Sequence, residues 1–145
     1  MPKSLPDRLS PRTNLSRHIA VYAMNSLDPK TGAWTPTAIA SIEIAETLFR
    51  PHLLVVQMED DGMEPVIRRQ AYVGLDRDDV TARSGEIYAL DISGEGLVIK
   101  RLEPDIAGKR LRLVSASSRH AERFLAQGGP DYLVIGRVVW VIQDL

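Results

Sequence analysis

The chain has 145 residues, 44% of them hydrophobic and 26% charged, which suits a single globular domain and excludes global disorder or two full-sized cores. Its 18 basic and 19 acidic residues leave a net charge of -1, an argument against bulk electrostatic binding to nucleic acid or anionic membrane. With no cysteine there is no disulfide framework, thiolate nucleophile or cysteine zinc site, and no apolar run approaches the roughly 20 residues of a bilayer span or forms a secretory signal near Met1. A cytoplasmic domain without cofactor or membrane contact is the expectation.

Residues 1–17 carry Pro2, Pro6 and Pro11 with few apolar anchors, and read as a flexible linker or arm ahead of a domain over 18–145. His18 to Ala23 is the first predicted strand, followed by a turn-rich stretch punctuated by Pro29, Gly32 and Pro36. Ala38 to Ile44 is a second strand, and Glu46 to Arg50 one helical turn stopped by Pro51. LLVVQM (53–58) has the composition of a buried strand, and AYVGLD (71–76) follows it. EIYALDIS (86–93) and LVIKRL (97–102) flank Gly94-Glu95-Gly96 and predict a hairpin. A turn over Pro104 to Lys109 precedes a strand from Arg110 to Val114, then a loop over 115–131 with one helical turn at His120 to Ala126. YLVIGRVVWVIQ (132–143) closes the chain as a long strand, with Gly136 marking a bulge or bend. Its apolar character is greater than a half-solvated strand needs, placing it centrally or at an interface. Seven or eight strands and no long helix predict a mainly β fold of twisted, partly antiparallel sheet. No helix-turn-helix pattern is present, so direct DNA readout by this chain is not expected.

Strand periodicity puts Lys100 on one face with Val98 and Leu102, opposite Leu97, Ile99 and Arg101. Either its stem covers apolar surface while the ammonium reaches water, or the amine is desolvated and serves a serine as general base. Glu59, Asp60, Asp61 and Glu64 form one acidic group and Asp76, Asp78 and Asp79 another. Their spacing fits no calcium loop, and His18, His52 and His120 lack the spacing of a zinc pair, so no metal is expected. Arg110 and Arg112 alternate with Leu111 and Leu113, as on a solvated sheet surface.

VVQMEDDGMEP (55–65), VIRRQAYVGLD (66–76), GEIYAL, GLVIKRL and VIGRVVW, in that order, resemble the peptidase domain of LexA-like and phage-type repressors. These are Ser-Lys self-cleaving regulators related in fold to signal peptidases. The resemblance implies a signal-peptidase-like β fold, Lys100 as general base, and a cleft lined by Asp61, Met63, Glu64 and Pro65. It also implies a homodimer through the closing end of the domain, with DNA engaged only by a domain upstream of this chain. The position of the family's serine is Gly62, its Gly-Asp pair is replaced by Gln70-Ala71, and the Ala-Gly step lies after the lysine, at Ala107-Gly108, while the earlier loop has Gly32-Ala33. One engineered Ser-to-Gly change explains only the first departure, so natural loss of activity is expected. Ser41, Ser84, Ser93, Ser115, Ser117 and Ser118 have no sequence relation to Lys100. The expected role is that of an inactive dimerisation or regulatory domain. The rival readings are a peptidase that is active or deliberately inactivated, and a module that holds a peptide strand without cutting it.

Overall fold

The computed structural model describes residues 15–145, so residues 1–14 of the arm predicted over 1–17 lie outside the described residues. The strands are β1 (Ser16–Tyr22), β2 (Ala38–Ala45), β3 (Leu53–Gln57), β4 (Tyr72–Asp76), β5 (Ile87–Ile92), β6 (Gly96–Asp105), β7 (Arg110–Val114), β8 (Arg123–Ala126) and β9 (Tyr132–Ile142). A single 3-10 turn over Glu46–Leu48 matches the predicted helical turn. All nine described strands join one sheet in the order β2-β1-β3-β4-β9-β5-β6-β7-β8, antiparallel except for the β1–β3 pair. The fold is mainly β, as the sequence predicts. Strand β1 begins at Ser16, so Ser16 and Arg17, assigned to the arm, pair with Ala45 and Ile44.

Buried side chains of the sheet gather into two cores. Leu54, Val56, Val73, Leu75, Ala89, Leu97 and Ile99 enter one core together with Met58, Met63 and Ile67 from the β3–β4 connection. Tyr88, Leu90, Ile92, Leu102, Leu111 and Leu113 form the second. Period-2 alternation explains the division: Tyr88, Leu90 and Ile92 point one way along β5 while Ala89 points the other. The predicted hairpin is the β5–β6 pair, turning at Gly94 and Gly96, both of positive φ.

Strand β9 is central, between β4 and β5, which accounts for its apolar run. Its register slips on both sides, near Gly136 against β5 and near Trp140 against β4. Trp140 lies flat against Gly74 in the paired strand, where any Cβ would collide with the indole, and its Nε1–H donates to the Leu48 carbonyl at 2.9 Å. That hydrogen bond pins the 3-10 turn to the sheet.

Two predicted elements are corrected. The turn assigned to Pro104–Lys109 starts later, because β6 runs to Asp105 with Pro104 opposite Leu111. The Leu102 N–H donates toward the β5 side, to Glu86, and two residues on the proline nitrogen faces the same side beyond the end of β5, where no ladder donor is required. The helical turn assigned to His120–Ala126 is instead edge strand β8, paired to β7, because Leu125 packs on the second core and Arg110 stacks on Phe124 at 4.0 Å. Tertiary pairing overrides local propensity there.

Candidate active site

The connection from β3 to β4 is held at its base by reciprocal backbone hydrogen bonds, Met58 N–H to Ala71 and Gln70 N–H to Met58. Fully buried Met58, Met63 and Ile67 anchor it from below. Between these anchors the chain turns at Gly62, whose N–H donates to the Asp60 carboxylate at 2.9 Å. The carbonyl of Gly62 accepts from the Ser117 N–H at 2.9 Å, tying the turn to the segment that follows β7. Asp61 extends the tie, accepting from Arg119 at 2.6 Å and pairing with His120 Nε2 at 2.9 Å. The hydrogen bond from His120 and the nearby Arg119 charge hold the Asp61 carboxyl below its ordinary value.

Lys100 reaches this turn from the middle of β6. A Cβ built on Gly62 would stand 2.6 Å from Lys100 Nζ, 3.3 Å from Asp60 Oδ1 and 3.7 Å from Ser115 Oγ. The amine therefore lies where a side chain at residue 62 would be. Nζ donates to Ser115 Oγ at 2.7 Å. The lysine is half-buried, and burial lowers its pKa from the ordinary 10.5, opposed by the Asp60 charge and reinforced by Arg123. A lysine lowered in this way makes the fold gain stability as pH rises from its folded value toward 10.5. A cavity of about 280 Å³ adjoins the pair, lined among others by Asp60, Val98, Leu113, Ser115 and His120.

Of the predicted site residues, the structure brings Gly62 and Lys100 together, while Asp61, predicted to line the cleft, does not line this cavity and instead braces the turn through Arg119 and His120. Met63 is fully buried in the first core, Glu64 accepts from the Arg69 N–H, and Pro65 is exposed; none of these three lines the cavity. The acidic groups are occupied by the protein's own donors. Glu59 accepts from the Met24 N–H, while Asp76, Asp78 and Asp79 pair with Arg50, His52 and Arg137. Among the described residues, no group of three carboxylate or imidazole side chains could hold a metal.

Sequence reasoning missed two participants. Ser115 has no motif relation to Lys100, yet the hairpin register that pairs Asp105 with Arg110 and Arg101 with Val114 carries it directly opposite Lys100. That register was the signal available. His120 lacks the spacing of a metal pair, and nothing local in the sequence links it to Asp61. A family model described as Peptidase S24-like matches residues 29–139, a span that includes Gly62, Lys100 and Ser115. No curated protein matches the chain.

Proposed function

Because the chain belongs to the Peptidase S24-like family, we propose that it is a member without self-cleaving activity, a pseudo-peptidase that serves as a regulatory and dimerisation module. The observation carrying this reading is the Lys100 amine at the position of the residue 62 side chain, where the chain supplies only a hydrogen. In the Ser-Lys scheme the base takes a proton from a hydroxyl on that residue, and the hydroxyl oxygen then attacks the scissile carbonyl. Glycine offers neither proton nor nucleophile. Loss of one member of such a unit costs several orders of magnitude in rate. Within this sequence the Ala-Gly step, Ala107-Gly108, follows the lysine instead of preceding the turn, a second departure from the self-cleaving pattern. What remains is a preformed cleft on a rigid sheet, suited to signalling by binding or association.

The wider role follows from the resemblance to phage-type repressors: a cytoplasmic transcriptional regulator acting as a homodimer, with DNA bound by a domain upstream. The test uses the whole chain, held for a prolonged period at alkaline pH, where a lysine base is neutral. Intact-mass measurement is expected to show no internal cut, and light scattering of the same sample a dimer. A discrete cut that disappears in Lys100→Ala would place the protein among active peptidases, and a monomer at high concentration would remove the dimerisation role. A second reading, chemistry through a different nucleophile, is favoured by the Ser115 contact alone.

A further inference from the structure

Lys100 has not lost every hydroxyl within its reach. Ser115 Oγ accepts from Nζ at 2.7 Å, and that oxygen is 3.7 Å from where the Cβ of residue 62 would stand. Both partners are set by a rigid ladder, Lys100 inside β6 and Ser115 one residue past the end of β7, in the register that pairs Arg101 with Val114. With no side chain on Gly62, no second hydroxyl competes for the amine on that side. The adjoining cavity of about 280 Å³ has room for a small acyl group, and both residues line it.

We propose that Ser115 and Lys100 form a Ser-Lys pair of their own, with Ser115 as nucleophile and Lys100 as its base, that transfers small acyl groups from esters. The step balances without an outside reactant other than water. Neutral Lys100 accepts the Ser115 hydroxyl proton as Oγ bonds to the acyl carbon, and the carbon–oxygen bond to the alcohol breaks. The ammonium then protonates the departing alkoxide. Water, deprotonated by the same amine, cleaves the Ser115 ester and releases the carboxylic acid. A neutral amine uses the same short contact in reverse, accepting from the hydroxyl instead of donating to it.

The setting supports the neutral form, since burial is the largest influence on Lys100 and lowers its pKa. Asp60 and Asp61, from the β3–β4 connection, oppose that shift, and Arg123 of β8 adds to it. His120 and Glu95 line the same cavity, with Glu95 engaged by the Arg123 guanidinium at 2.8 and 2.9 Å. This inference is independent of the absence of self-cleavage, because one is read in the backbone and the other on a side chain.

The probe is p-nitrophenyl acetate, mixed with the whole chain, with nitrophenolate release followed and acetyl positions mapped by mass spectrometry. An acetyl ester on Ser115 is expected, forming faster as pH rises toward the Lys100 midpoint. Ser115→Ala should lose the fast release, and Lys100→Met should slow it about a hundredfold, the usual share of a positioned base. Lys100→Arg keeps the charge but cannot act as base, so it should show the same loss if Lys100→Met does not fold. Ser115→Ala changes one oxygen, and its melting curve verifies that it is folded. Acetyl found on Lys100 itself or only on surface amines, or unchanged release in folded Ser115→Ala, would overturn the proposal.

Discussion

Replacing Gly74 with valine is expected to destabilise the protein by about 4 kcal/mol, the scale of removing a large buried side chain from its packing site. Gly74 sits opposite Trp140 in the β4–β9 ladder, and the indole ring occupies the volume in which any Cβ at residue 74 would lie. Neither partner can yield cheaply. Trp140 is fixed by its hydrogen bond to the Leu48 carbonyl, and Gly74 lies in strand β4, which is paired on both sides, to β3 and β9. A branched side chain must therefore expel the ring, breaking that hydrogen bond, or pry two central strands apart. For a domain of this size the loss corresponds to a fall of about 10 °C in melting temperature. Thermal and urea unfolding of Gly74→Val measure it directly. A change below about 1 kcal/mol, within the range of ordinary surface substitutions, would mean that Trp140 does not pack on Gly74.

Gly62→Ser produces the second large effect, one of chemistry rather than stability. The added Cβ would meet Lys100 Nζ at 2.6 Å, closer than real contacts allow, but the lysine end is flexible and can give way. A cost near 1 kcal/mol is expected for that adjustment. The introduced hydroxyl would then compete with Ser115 for the amine, and acetylation by an aryl ester should divide between the two oxygens. Self-cleavage should remain weak at most, because no Ala-Gly step precedes the turn and the loop ahead of it carries Gly32-Ala33 instead. Mass analysis of the variant through a prolonged alkaline incubation gives the answer. Efficient cutting by this single change would show that the missing oxygen was the only lesion, the pattern of an engineered inactivation rather than natural decay.

Strand positions were legible wherever apolar alternation or a short buried run was bounded by glycine or proline, as in β3, β4 and the β5–β6 hairpin. The same period predicted that Lys100 shares a face with Val98 and Leu102, and both of these residues lie in or against the second core with Lys100 half-buried between them. Strand β8 was not legible, because four residues at a sheet edge owe their conformation to β7 rather than to their own pattern. Pro104 was misread as a turn because a proline's tolerance in a strand depends on which side of it lacks a neighbour, and that is a property of the sheet. At the site, the amine and the glycine were found through an ordered set of motifs. The partners that now engage this corner, Ser115 on the amine and Ser117, Arg119 and His120 on the turn, come from a segment read as loop, whose placement depends on tertiary hydrogen bonds. Only Ser115 had a register from which it could have been deduced.

Titration of the Lys100 side chain followed by NMR measures directly whether its half-buried amine is held against residue 62. In the unaltered chain the Lys100 midpoint should lie below 10.5, the ordinary lysine value, because burial penalises the ammonium. In Gly62→Asp, which sets a carboxylate against the amine, the midpoint should move upward by about a unit or more, ~1.4 kcal/mol or above of added attraction. A Lys100 that titrates as a free lysine and ignores the new carboxylate would contradict the geometry, and with it the family-based reading of this cleft.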